Sequence, residues 1–196
     1  KAQIRGLRQA SRNSNDGISL VQVAEGGLNE VSNMLIRLRE LAIQGSSDTV
    51  GDTERKFIDV EYQQLKSEIQ RISEVTTFNG RDLLNGTGGV IDIQVGTHND
   101  VFKDRISFNA SAANSTLDSL GMTAESTATK EASQQSLDVV DRALTSVNAI
   151  RANFGAMQNR LQSTIQNLAI SDENYSAANS RIRDTDVAAE TSELMR

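Results

Sequence analysis

The feature that most constrains this chain is a row of apolar residues that recurs at every seventh position in its last third. The row consists of Val140, Val147, Phe154, Leu161, Leu168, Tyr175 and Ile182. A strict seven-residue repeat is typical of a supercoiled helix, so it predicts one long helix that packs against partner helices along this seam. The chain contains no Pro, although average usage would supply roughly ten. Because Pro breaks helix interiors, its absence favours long uninterrupted helices.

The first third of the chain carries two further seams that can supply the partner helices. In the first, apolar residues alternate at steps of three and four: Leu28, Val31, Leu35, Leu38 and Ala42. A second helix, capped by Asp52 or Thr53 and ending near Val75, repeats the pattern with Ile58, Tyr62, Leu65, Ile69 and Ile72. Both patterns predict helices that pack lengthwise. Glycines weaken the first helix, and we expect close backbone approach to neighbouring helices or a kink to explain them: Gly6, Gly17, Gly26 and Gly27.

The middle of the chain changes from helical to strand periodicity. Ile91, Ile93 and Val95 alternate with polar Asp92 and Gln94, which predicts a strand over residues 90–95. A turn over 96–100 and a return strand over 101–108 complete a predicted β-hairpin. Residues 109–130 are rich in Ser, Thr, Ala and Asn, so we interpret them as a connecting segment.

These elements predict a mainly α fold: an elongated antiparallel helical bundle or coiled coil, with two N-terminal helices, one long C-terminal helix and a small β-hairpin region. We expect a single elongated rod over 1–196, divided into N-terminal helices (1–76), hairpin and connecting loops (77–130) and a long returning helix (131–196). Lys1 is not Met, and Arg196 lies in a helix-like stretch. We therefore expect the chain to be an interior piece of a longer protein.

Composition argues against most catalytic chemistry. The chain has no Cys and a single His, His98, so a thiolate or His-based metal site and a Ser-His-Asp triad are disfavoured. The net charge of −6 disfavours a nucleic-acid partner, and no apolar run is long enough to span a membrane. Two pairs of carboxylates, Asp100 with Asp104 and Asp184 with Asp186, are interpreted as solvated side chains. We predict no enzyme activity, no cofactor and no metal.

Three segments resemble bacterial flagellin, the subunit of the flagellar filament. The matching motifs lie within residues 9–44, 77–84 and 159–186, and they include Thr77-Phe78-Asn79-Gly80 and Ser180-Arg181-Ile182-Arg183-Asp184. The resemblance implies an extracellular structural protein, exported through the flagellar apparatus with the help of an export chaperone for the full-length chain. It implies packing against other flagellin subunits, and a compact flagellin with only a short connecting segment.

The resemblance also implies a recognition surface. Arg37, Leu41 and Gln44 lie at i, i+4 and i+7, and they match the flagellin surface read by the vertebrate innate receptor Toll-like receptor 5. Glu61 falls where flagellins place an acidic receptor contact, and we expect an exposed Leu41 to serve subunit packing as well. The simpler interpretation is that Arg37 forms surface ion pairs with Glu40 or Glu61, and both interpretations can hold.

Two other classes of protein share part of this pattern. A coiled-coil signalling or adhesion module, such as a chemoreceptor helical hairpin, has heptads and few aromatic residues, but lacks the Asn-Gly-rich hairpin. An enzyme needs a clustered polar pocket, which a bundle of three helices does not readily provide.

Overall fold

The computed structural model describes residues 2–183, and this part of the chain is mainly helical. It contains three α-helices: α1 (Ala2–Gly45), α2 (Asp52–Val75) and α3 (Lys130–Arg183). Two small two-stranded sheets follow α2, one made by β1 (Thr77–Phe78) and β2 (Arg81–Asp82), the other by β3 (Val90–Gln94) and β4 (Arg105–Asn109). A 3-10 helix, Ala110–Ala113, comes directly after β4. The prediction of a mainly α fold with a small hairpin region is confirmed.

Two local predictions are wrong. The return strand begins at Arg105 rather than Val101, because the Asp100 carboxylate accepts hydrogen bonds from the backbone N–H groups of Phe102 (2.9 Å) and Lys103 (3.1 Å). These bonds close a turn in which strand pairing cannot start. The second helix is preceded by Gly51 and has no side-chain cap, so neither Asp52 nor Thr53 acts as the N-cap.

The described residues divide into two compact units. We call residues 19–91 and 107–158 the core unit, and residues 2–18, 92–106 and 159–183 the hairpin unit. Both α1 and α3 contribute residues to each unit.

Within the core unit, α2 runs antiparallel to α1. Arg55 Nε, near the start of α2, donates to the Gly45 carbonyl at the end of α1 (2.8 Å). One to two turns further along α2, Glu61 accepts from Arg37, which lies earlier on α1. The contacted α1 residue therefore has a lower number as the α2 residue number rises, as antiparallel helices require.

The core-unit part of α3 is also antiparallel to α1. Gly45 lies against Ser133, since a Cβ added at this glycine would be 2.5 Å from Ser133 Oγ. Arg39, earlier on α1, donates to Asp141, later on α3, at 2.7 Å. Both α2 and the core-unit part of α3 therefore run antiparallel to α1.

An apolar cluster from all three helices, the strands and the connecting segment fills the core unit. Phe108 of β4 packs against Phe154 of α3 with ring centroids 5.3 Å apart. The cluster includes several large, fully buried side chains: Leu28, Leu35, Leu38, Leu41, Tyr62, Ile69, Leu83, Leu84 and Met122. Burial of each such side chain contributes about 1.5–3 kcal/mol before ordering costs. Apolar burial, most of it on the helices, is therefore a large source of stability in this unit.

The hairpin unit has its own smaller packing. Leu7 and Ala10 of α1 form an apolar cluster with Leu168 of α3. Arg8 pairs with Asp172 at 3.0 Å across the same two helices. The apolar face predicted for β3 from alternation faces the interior of this unit. Ile93, Val95 and Ile106 are buried, whereas Asp92 is exposed.

Close approach explains two of the glycines in α1, but the nearest neighbours are a strand side chain and the residue after α2 rather than the predicted neighbouring helices. A Cβ at Gly17 would lie 2.6 Å from Ile93 Cδ1, within the hairpin unit. A Cβ at Gly27 would lie 2.8 Å from Thr76 Oγ1, within the core unit. Gly26 has nothing within 4 Å of its added Cβ, so packing does not require glycine there. Over residues 2–183, no helix has both the length and the apolar character needed to cross a membrane.

Candidate functional site

Arg37 links the exposed faces of α1 and α2 in the core unit. Its Nε donates to Glu61 Oε1 at 2.8 Å, and its Nη1 donates to Glu40 Oε2 at 2.9 Å. The Arg37 and Glu61 side chains are 48% and 47% exposed. The hydrogen bond to Glu61, followed by that to Glu40, raises the pKa of Arg37. Gln44 is exposed two turns further along α1. We call Arg37, Glu40, Gln44 and Glu61 the α1–α2 surface.

Leu41 does not belong to this surface, and the prediction that it is exposed is wrong. Its side chain is 1% exposed and lies in the apolar cluster of the core unit. On a helix, residues three and four apart share a face, and Leu41 has buried Leu38 and Gly45 at those positions. The stripe of Arg37, Leu41 and Gln44 thus runs along the border of the buried face, where only its long polar members reach solvent.

The structure places nearly all of the predicted seam residues in the interior. Leu28, Leu35, Leu38 and Ile69 are 0% exposed, and Leu65 is partly buried against the same cluster. Five positions of the seven-residue row on α3 are also buried: Val140, Val147, Phe154, Leu161 and Leu168.

The row on α3 does not continue inward at Tyr175, which is 45% exposed, so its assignment to a buried seam is wrong. Its hydroxyl accepts a hydrogen bond from Gln3 Nε2 of α1 at 3.4 Å, in a polar and exposed contact. The side chain of Ile182 and the residues Asp184 and Asp186 lie outside the part that the structure describes.

Three polar residues of α2, which sequence patterning did not single out, hold the loops on either side of that helix. Arg55 is 6% exposed and donates to the carbonyls of Gly45 (2.8 Å) and Ser47 (2.7 Å) in the α1–α2 connection. Lys66 is 4% exposed and donates to the carbonyls of Thr123 (3.0 Å) and Glu125 (2.7 Å). Burial lowers the pKa of Lys66.

Asp59 completes this arrangement. Its Oδ1 accepts from the backbone N–H of Thr127 (2.7 Å), from Ser126 Oγ (2.9 Å) and from Gln63 Nε2 (3.3 Å). Partial burial acts to raise the pKa of Asp59, but these hydrogen bonds outweigh it, and the pKa is lowered. We call Asp59, Lys66 and the carbonyl and N–H groups they bind on residues 123–127 the segment clamp.

The carboxylates weighed as chemical candidates serve a turn instead. Asp100 and Asp104 are not helical; the Asp104 carboxylate accepts from the backbone N–H of Asp100 (3.1 Å) and of His98 (3.4 Å). Within residues 2–183, no three His, Cys, Asp or Glu side chains lie close enough together to hold a metal ion.

Known proteins of similar sequence and structure match nearly the whole chain. Residues 1–88 match the bacterial flagellin N-terminal helical region, and residues 137–196 match the bacterial flagellin C-terminal helical region. A flagellin of Halalkalibacterium halodurans is 44% identical, over 100% of this chain and 71% of the relative. A flagellar filament core protein of Brachyspira hyodysenteriae is 39% identical, over 96% of this chain and 70% of the relative.

Structural comparison leads to the same family. The crystal structure of Bacillus cereus flagellin superposes with a TM-score of 0.72 and 32% identity, covering 86% of this chain and 94% of that one. The structural match and the two sequence matches point to the same family. This chain belongs to the bacterial flagellin family.

Proposed function

We propose that this chain is a structural subunit of a bacterial flagellar filament, and that its α1–α2 surface is recognised by Toll-like receptor 5. Membership of a structural family, together with long helices packed by apolar seams, supports the first part. The Arg37–Glu61 ion pair supports the second, because it joins two helices into one exposed polar surface.

The chemistry of this surface suits recognition by a polar partner. The Arg37 guanidinium carries more N–H donors than its two hydrogen bonds use, and Glu40 and Glu61 hold its planar group in place. Held in this way, the guanidinium loses less side-chain entropy when a partner carboxylate or carbonyl binds. Gln44 adds an exposed amide that can donate and accept.

The receptor proposal is tested with a surface variant that leaves the core intact. We expect Arg37→Ala, Gln44→Ala and Glu61→Ala, combined in one protein, to abolish signalling by cells that report Toll-like receptor 5 activation. Leu41 is kept, because its truncation opens a cavity and would confuse loss of folding with loss of contact.

The matched control removes the ion pair between Arg39 and Asp141, which joins α1 to α3 with similar geometry and similar exposure. Arg39→Ala with Asp141→Ala should signal like the parent, and circular dichroism should show the same helix content in all three proteins. An unchanged response of the surface variant, or an equal loss in the control, would contradict the assignment.

The filament proposal is made for a protein that carries this chain, which spans 71% and 70% of the two relatives described above. We propose that this protein is delivered through the flagellar export apparatus with an export chaperone and assembles with further copies of itself. Expressed in a bacterium that lacks its own flagellin, it should restore filaments in electron micrographs. Absence of filaments from a protein that is expressed and exported would contradict the structural role.

A further inference from the structure

Two Asn-Gly dipeptides with the same local chemistry lie in different surroundings in the core unit. Asn79-Gly80 forms the turn between β1 and β2, and Asn85-Gly86 follows shortly after β2. We propose that Asn79 is a site of spontaneous deamidation in the folded protein, whereas the fold protects Asn85 from the same reaction.

The reaction needs only water. The backbone nitrogen of the following glycine attacks the Asn side-chain carbonyl carbon; a C–N bond forms, the bond to the side-chain nitrogen breaks, and ammonia leaves with the displaced proton. Water then opens the resulting succinimide at either carbonyl and yields aspartate or isoaspartate. Glycine at the next position favours the attack, since it has no Cβ to hinder its nitrogen.

The Asn79 side chain is available for this attack. Asn79 and Gly80 are both exposed, and nothing lies within 4 Å of a Cβ added at Gly80. No hydrogen bond to the Asn79 carboxamide occurs among residues 2–183. Asn79 (φ 50°) and Gly80 (φ 75°) form a two-residue hairpin turn, and β1 and β2 have only two residues each. So short a hairpin opens locally at little cost, which lets the carboxamide reach the Gly80 nitrogen.

The Asn85 side chain is held away from the Gly86 nitrogen that would attack it. Asn85 Oδ1 accepts from the backbone N–H of Thr87 at 2.9 Å and from Thr87 Oγ1 at 2.7 Å. Gly86 packs against Asn114, whose Nδ2 would be 2.6 Å from an added Cβ. The carboxamide is therefore directed at the residue two positions on and is fixed in a packed turn.

The product changes the hairpin. Deamidation at Asn79 adds a negative charge beside Arg81, and the isoaspartate form also adds a methylene to the main chain of a turn with only two residues. That extra atom is incompatible with the pairing of Phe78 and Arg81, so the modified β1–β2 hairpin should lose its register.

The test incubates the folded protein at mildly alkaline pH and maps its tryptic peptides by mass spectrometry. Cleavage at Arg71, Arg81 and Lys103 places Asn79 in peptide 72–81 and Asn85 in peptide 82–103. We expect the mass gain that replaces an amide by an acid to accumulate several-fold faster at Asn79 than at Asn85. Fragmentation of the second peptide separates Asn85 from its other amides.

Denatured protein provides the control. In urea the two dipeptides should react at similar rates, because the difference comes from the fold. Thr87→Gly, which removes the hydroxyl that holds Asn85, should raise the Asn85 rate in the folded protein and leave the Asn79 rate unchanged. Equal rates at both sites in the folded protein, or a folded protein in which Asn79 stays intact while the denatured one reacts, would overturn the proposal.

Discussion

Asp59 anchors the connecting segment, and its removal should destabilise the protein measurably. In Asp59→Ala, the buried N–H of Thr127 and the Ser126 hydroxyl lose a charged acceptor. Thr127 is 0% exposed, so water cannot easily replace the carboxylate. Leaving one buried donor unsatisfied costs about 1–3 kcal/mol, and hydrogen bonds to charged groups contribute about 1.5–3 kcal/mol. Because these two figures describe the same loss, we expect a total of about 2–3 kcal/mol.

Chemical unfolding in urea, followed by circular dichroism, measures this effect. With a slope of about 2 kcal/mol per molar urea, the midpoint should fall by about 1 M. Asp141→Ala is the matched control, because Asp141 is an exposed helical aspartate with one ion-pair partner; its midpoint should hardly move. Asp59→Asn, which keeps an acceptor oxygen but loses the charge, should lie between the two.

The pH dependence adds a second test of the same contact. The folded-state pKa of Asp59 is lowered relative to the unfolded chain. The stabilisation is therefore fully present above the unfolded pKa of about 3.9 and is lost as the pH falls through the lower, folded value. The gap in stability between the parent and Asp59→Ala should be constant near neutral pH and shrink in strong acid. A gap that does not change with pH, or an effect no larger than that of Asp141→Ala, would refute the clamp.

Three further predictions concern packing and burial. Leu41→Ala should lower the free energy of unfolding by about 2–5 kcal/mol, measured by urea unfolding; a near-neutral result would mean that Leu41 is not part of the core. Gly26→Ala should stabilise the protein by about 0.4–1 kcal/mol, whereas Gly27→Ala should destabilise it, because its Cβ would meet Thr76. Thermal unfolding compares the two variants, and equal shifts in melting temperature would contradict the packing. Burial raises the pKa of Tyr62 to about 12. Because the unfolded chain ionises near pH 10 and the folded chain does not, the free energy of unfolding should fall between about pH 10 and 12. Tyr62→Phe should remove this loss in alkaline unfolding experiments.

The helices and strands could be predicted from sequence because they depend on periodicity. The seven-residue row identified α3, and alternation identified the inward face of β3, since both patterns record which side of an element meets the interior. Boundaries set by single side chains could not be predicted in the same way. The start of β4 depends on a carboxylate of Asp100 that captures two backbone N–H groups, and no apolar pattern records that contact.

The candidate surface was harder to predict because periodicity divides a helix only coarsely into buried and exposed faces. Arg37 and Leu41 are one turn apart, yet one is half-exposed and the other is buried. At such a border, side-chain length decides: the Arg37 guanidinium extends across to Glu61 on the exposed face of α2, whereas a leucine of the same stripe ends inside the interface.

Three charged residues of α2, Asp59 and Lys66 of the segment clamp together with Arg55, bind backbone groups although the sequence pattern predicts that they face solvent. Arg55, Asp59 and Lys66 are charged residues on α2, and a sequence reading assigns such residues to solvent. Their side chains instead bind backbone groups of the loops beside α2, which lack the partners that a helix or sheet would give them. A segment rich in Ser and Thr, with few large apolar residues, is thereby held to α2 by charge-assisted hydrogen bonds. Its attachment to α2 should therefore depend on Asp59 and Lys66 as well as on Leu120 and Met122, which lie in the apolar cluster of the core unit.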